Sequence, residues 1–178
     1  MKRWAAMLRG INLGKRQLKS AELKAVVEGL GFANVKTILA SGNVVFDADG
    51  DAESLERELH VALEKATGLK SDVYVRDRAA LDAVVAANPF PEAARERPSF
   101  LVVTFHRDEV DKAAIARLAE SYDGPERMVA IGRELFTDFP YGQGRSNLIP
   151  AMAKAKLAQG NTGRNWNTVL KLQAALGE

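Results

Sequence analysis

Three stretches of the chain set glycine beside arginine, lysine, asparagine or serine, the residue types that hold an anion without reacting with it. They are Leu8-Arg9-Gly10-Ile11-Asn12-Leu13-Gly14-Lys15, Ala40-Ser41-Gly42-Asn43-Val44-Val45-Phe46 and Thr162-Gly163-Arg164-Asn165-Trp166-Asn167-Thr168. Glycine lets successive backbone N–H groups turn toward a ligand. Cationic side chains add charge, and amides and hydroxyls add directed hydrogen bonds. The candidate ligand-binding residues are therefore Arg9, Asn12, Lys15, Ser41, Asn43, Arg164 and Asn165. A fourth stretch, Gly142-Gln143-Gly144-Arg145-Ser146-Asn147, adds Arg145. Arg145 and Arg164 each stand just before an expected helix start, where phosphates and carboxylates bind well. Each stretch also has an architectural reading: the glycines shape turns, Ser41 and Asn43 serve a turn's backbone, and Ser146, Asn147 or Asn165 caps a helix.

Other chemistry is excluded or poorly supported. The first stretch misses the nucleoside-triphosphate loop, because three residues rather than four separate Gly10 from Gly14, and Arg16 stands where a magnesium-binding hydroxyl is needed. Neither His60 nor His106 lies near Ser41 in sequence, so a Ser-His-acid triad lacks its base. Asp47, Asp49, Asp51 and Glu58 match positions 1, 3, 5 and 12 of a calcium loop, but the essential glycine at position 6 is Ala52. The absence of cysteine rules out disulfides, thiolate catalysis, cysteine-bound zinc and iron–sulfur clusters. No cofactor or metal is called for.

Net charge over the 178 residues is only +2, but the charge is unevenly spread. The first 21 residues hold six basic side chains and no acid, residues 142 to 178 hold five against Glu178, and the middle holds 14 basic and 22 acidic residues. Basic ends around an acidic middle favour an anionic partner. The apolar run Trp4–Leu8 is too short for a signal-peptide core and no segment approaches a membrane span. A cytoplasmic protein without membrane association is expected.

These residues need elements to position them. Trp4 to Leu8 reads as a buried strand. Ser20 caps a helix carrying Leu23, Val26, Val27 and Leu30, and Gly31 closes it. Val35 to Ala40 and Val44 to Asp47 are strands, Asp51 caps a helix on Leu55, Leu59, Leu63 and Ala66 that ends at Gly68, and Asp72 to Arg76 is a fourth strand. The order βαββαβ is the ferredoxin-like split motif; the one aromatic of the central strand, Phe46, falls short of an RNA-recognition module. Asp77 caps a helix through Leu81, Val84 and Val85 that Asn88-Pro89 stops, and residues 88 to 98 read as a linker. The second half reads as a strand at Ser99 to Phe105, a helix capped by Asp108, a type II′ hairpin at Gly132-Arg133, a helix from Ser146 or Asn147 to about Leu157, and a last helix capped by Asn165. The predicted fold is α+β, with a ferredoxin-like subdomain at 1–78 and a βαββαα half-ferredoxin-like unit at 79–178. The last helix is available to pack back on the first subdomain, and no residue-level repeat links the halves.

In combination, Leu8 to Gly14, Ser41 to Phe46 and Thr162 to Leu172 resemble the uncharacterised bacterial family called domain of unknown function 1697, as does the glycine-rich Gly142 to Ser146. Lys15-Arg16 and Gly163 depart from its usual residues. The resemblance implies an α+β, ferredoxin-like fold and brings no activity, cofactor or catalytic residue. Three functions remain open: binding of a phosphate-bearing ligand, nucleic acid or nucleotide-like metabolite; an enzyme on a small anionic substrate, with Ser41 and Asn43 orienting it; and a structural or partner-binding protein.

Overall fold

A computed structural model describes residues 1–10, 17–40, 42–158 and 160–178. The apolar run Trp4–Leu8, with Lys2 and Arg3 before it, forms β1 (Lys2–Leu8), which lies inside a four-stranded antiparallel sheet with β2 (Ala33–Thr37), β3 (Asn43–Ala48) and β4 (Val73–Asp77) in the order β2-β3-β1-β4. Side chains alternate between the faces. Trp4, Ala6, Leu8, Val44, Phe46, Val73 and Val75 share a core with Leu23 and Val27 of α1 (Ser20–Gly29) and Leu55, Leu59 and Leu63 of α2 (Ala52–Thr67). Each such leucine, fully buried, contributes about 1.5–3 kcal/mol.

The ends of α2 follow local chemistry. Asp51 accepts the Ser54 N–H at 2.8 Å, and Gly68 closes the helix at φ 73, a side-chain cap and a left-handed terminus. In α1 Ser20 is the first helical residue rather than the cap, a place taken by Lys19 without a side-chain bond. β2 ends at Thr37, three residues before the expected Ala40, because Leu39 turns the chain at φ 59.

The chain divides into two units, Met1–Ala83 with Leu170–Glu178, and Val84–Val169. Arg3, on the sheet face away from α1 and α2, donates from Nε to Ala175 O at 3.0 Å, and Lys36 pairs with Glu178 at 2.8 Å. Asp77 caps α3 (Arg78–Ala86), accepting the Ala80 N–H at 2.8 Å.

In the second unit, β5 (Leu101–His106), β6 (Arg127–Ile131), β7 (Glu134–Asp138) and β8 (Asn161–Asn165) form a sheet of order β6-β7-β5-β8. One face packs on α5 (Lys112–Ser121) and α6 (Leu148–Lys154) through Val102, Leu135, Ile115, Leu118, Leu148 and Met152. The two-residue turn at Gly132-Arg133 has φ 59 at Gly132 alone, the type II′ form.

The α+β class with ferredoxin-like pieces is what the structure contains, with three corrections of detail. The second unit is a complete βαββαβ rather than βαββαα, because Asn161–Asn165 is an edge strand on β5. Its residues are all polar or glycine, so nothing in their type signals a strand; the alternation that remains is burial of Thr162 and Arg164 against exposure of Gly163. The expected linker contains α4 (Pro91–Glu96), which Pro91 starts. Asp111, not Asp108, caps α5, accepting the Ala114 N–H at 3.0 Å. The last helix, α7 (Trp166–Leu176), starts directly from β8.

Candidate functional site

In the first unit, the ends of three strands carry the first two stretches. Leu8 N–H donates to Gly42 O and Arg9 N–H to Asp72 O, both at 2.9 Å, and the Ser71 hydroxyl donates to Arg9 O at 2.7 Å. Gly10 and Gly42 leave the strands at φ 69 and 79, a backbone that glycine adopts without strain. His60 of α2 bonds through Nδ1 to Ser71 O at 2.7 Å. A carbonyl only accepts, so Nδ1 holds the ring proton here.

Arg9 and Asn43 are thus brought to one end of the first sheet, with different duties. Arg9 is half-buried at the strand's exit. Asn43 is fully buried and donates from Nδ2 to Ile38 O at 3.0 Å, while Ile38 N–H donates to Asn43 O at 2.9 Å. Its side chain closes the β2–β3 connection. Asn12, Lys15 and Ser41 lie outside the described residues.

In the second unit, Arg164 and Asn165 are neighbours on β8. Arg164 is buried, and its Nη1 donates to Thr162 Oγ1 at 2.9 Å and to Gly163 O at 2.8 Å. Burial lowers its pKa to about 10, which leaves it charged at neutral pH. Asn165 caps α7, accepting the Thr168 N–H at 3.0 Å. Arg145 is separate from both in the chain and exposed, on a 3-10 turn over Gln143–Arg145.

The start of α6 is served from within the chain. Ser146 Oγ accepts the Leu148 N–H at 3.0 Å and bonds to the carboxylate of Glu126, which also accepts from the Tyr122 hydroxyl at 2.7 Å. Burial pushes the Glu126 carboxyl up, yet the hydrogen bonds from Ser146 and Tyr122 outweigh it and hold the group below its ordinary value. An internal carboxylate therefore engages Ser146, which the sequence offered as a helix cap.

Charged groups that sequence reasoning missed lie on the sheet faces away from the paired helices. Asp138 is completely buried and accepts from Arg97 Nε at 2.9 Å, Arg97 Nη2 at 2.7 Å and Arg127 Nη2 at 2.8 Å. The Arg97 hydrogen bonds, against the pull of burial and with help from Arg127, hold its carboxyl below the usual range. Ala5 pairs with Val45 and Arg76 as Val103 pairs with Phe136 and Arg164. In that alignment Asp47 answers to Asp138, and Arg76 to Arg164. Arg76 donates to the preceding carbonyl, Val75 O, at 3.0 Å, as Arg164 does to Gly163 O. Both arginines precede the residue that caps the next helix, Asp77 or Asn165. The signal available in sequence was the dipeptide Arg76-Asp77 against Arg164-Asn165.

Among the described residues, no group of three acidic, histidine or cysteine side chains is placed to hold a metal ion, and no helix is long and apolar enough to cross a membrane. No curated protein matches the chain. Among solved structures, the conserved bacterial protein SP0830 from Streptococcus pneumoniae shares the fold, with a TM-score of 0.79 at 20% identity over 100% of this chain and 99% of that one. The family model described as Protein of unknown function (DUF1697) matches residues 1–136, which include the strand ends at Arg9 and Asn43 but not β8, and the chain belongs to that family.

Proposed function

We propose that the protein binds a phosphate-bearing ligand, nucleic acid or a nucleotide-like metabolite, without turning it over. The observation that carries this reading is Arg145, exposed on its turn and, among the described residues, in no ion pair. It lies in a run, residues 139 to 177, with five basic side chains and no acid. Arg97 and Arg127, by contrast, are committed to Asp138. Arg164, buried on β8 immediately before the Asn165 cap, is a second cation of the same run. In the first unit Arg9 is the corresponding cation, with Asn12, Lys15 and Ser41 proposed from sequence position alone. Asn43 and Asn165 shape the backbone that carries these groups. The same proposal places the protein in a bacterial cytoplasm, on its lack of cysteine and its bacterial structural neighbour.

A thermal-shift panel of mononucleotides, sugar phosphates, inorganic phosphate and short RNA and DNA tests it, because a ligand selective for the folded state raises the melting temperature. The expected result is a shift with one phosphate class that falls in Arg145→Ala and Arg164→Met. No shift with any compound sinks the proposal and leaves a structural role.

One observation favours an enzyme on a small anionic substrate as the second reading. With Nδ1 donating to Ser71 O, Nε2 is the ring nitrogen left for proton transfer, and the ring is bonded to the Ser71 that holds Arg9. Turnover of a compound that shifts the melting temperature, lost in His60→Gln while the shift persists, would decide for it.

A further inference from the structure

We propose that the surface around Phe100 and Tyr141 is a stacking platform for single-stranded nucleic acid, an inference that rests on the phosphate-ligand reading and names its ligand class. Phe100 ends a 3-10 turn over Pro98–Phe100 and is fixed by its backbone, its N–H donating to Arg97 O at 2.9 Å and its carbonyl accepting from Phe139 N–H at 3.0 Å. The residue nevertheless stays 41% exposed, and Tyr141 is 70% exposed. Gly142, next to Tyr141, takes φ 84 and lies against the Phe100 ring: a Cβ there would stand 3.3 Å from Phe100 Cε1. A side chain there would press on the ring, so glycine keeps the turn against Phe100 with both aromatics open to solvent. Arg145 follows within the same turn region, and the exposed Asn167 donates to Ser99 Oγ at 3.3 Å beside Phe100.

Two solvent-exposed aromatic residues, a guanidinium without an ion pair among the described residues and nearby amide and hydroxyl groups are the parts that non-specific single-strand binding uses. Every base has a face to stack on an aromatic ring, and arginine meets the phosphodiester. The run that begins at Phe139 carries five basic residues and no acid before Glu178, a balance that favours an anionic strand. The carboxylates of Glu92 and Glu96, on the preceding helix, are turned to Arg97 at 3.9 and 3.7 Å.

The test is fluorescence anisotropy of the whole chain with labelled homopolymeric DNA and RNA about 12 nucleotides long, between about 50 and 200 mM salt. Tyr141→Ala should weaken binding roughly tenfold with an unchanged melting temperature, since Tyr141 is an exposed residue. Phe100→Leu, which keeps apolar bulk and removes the π-face, should act in the same direction. Arg145→Ala should flatten the dependence on salt by about one phosphate contact, and Arg145→Lys should restore most of it. Wild-type binding that both aromatic variants retain in full overturns the platform and leaves the phosphate reading intact. A small phosphate compound that shifts the melting temperature while no oligonucleotide binds also overturns it and upholds the broader proposal. Binding of neither class defeats both.

Discussion

Asp138 is the residue on which the second unit is most exposed to change. Its carboxylate has no solvent access and faces two guanidiniums, so Asp138→Asn leaves two arginines facing an uncharged amide with one acceptor oxygen instead of two. Breaking a buried pair costs about 3–5 kcal/mol; a loss near the lower figure is expected, read from urea midpoints, because Arg127 is half-exposed. The same group sets a pH response. Its carboxyl titrates lower in the folded chain than in the unfolded one. As pH falls below about 4 the unfolded state takes up the proton first. Stability present at neutral pH therefore declines from there down through the folded-state pKa, and Asp138→Asn should lose that part of the acid slope. None of this was legible in the sequence, where Asp138 is one acid among 23; burial of a charge becomes visible only when strand register sets Arg127 opposite it. The candidate site was legible in part. The capping role of Asn165 follows from helix-start chemistry, whereas nothing linear joins Ser146 to Glu126, twenty residues earlier.

At the scale of elements, α2 and β4 depend on each other through one carboxylate. Glu56, buried on α2, accepts the Val75 N–H at 2.9 Å, a backbone donor of an edge strand. Glu56→Ala strands a buried donor and should lose about 1–3 kcal/mol, with faster amide exchange at Val75 as its local signature. A milder and separable effect is expected at the start of the same helix, where Asp51→Ala removes a cap and about 1 kcal/mol, a fall in melting temperature of about 2–4 °C. Helices of this kind were readable because cap, apolar period and terminal glycine agree. The elements that were not readable lack such agreement. Pro91 signals a stop or a start equally well until its neighbours are known, and β8 has no apolar residue to announce it. An edge strand of asparagine, threonine, glycine and arginine is recognised only by the strand it joins.

At the scale of the whole molecule, two sheets share one strand order and carry aspartate and arginine at matching places, although no linear repeat connects them. The units differ in how the chain assembles them. The second is continuous, while the first includes Leu170–Glu178, with Leu172, Ala175 and Leu176 buried. A chain cut after Val169 should therefore lose amide protection in β1 to β4 ahead of β5 to β8, and exchange measured on both sets of amides tests it. Losing even one of the buried leucines would remove about 2–5 kcal/mol. Synthesis on the ribosome reverses the usual order for the same reason. The first unit's opening strands are made early, yet the segment that completes it follows residues 84–169. At about 5–20 residues per second that interval is on the order of ten seconds. Throughout it, β1 to β4 wait for their last partner, and the half of the protein translated first is the half that closes last.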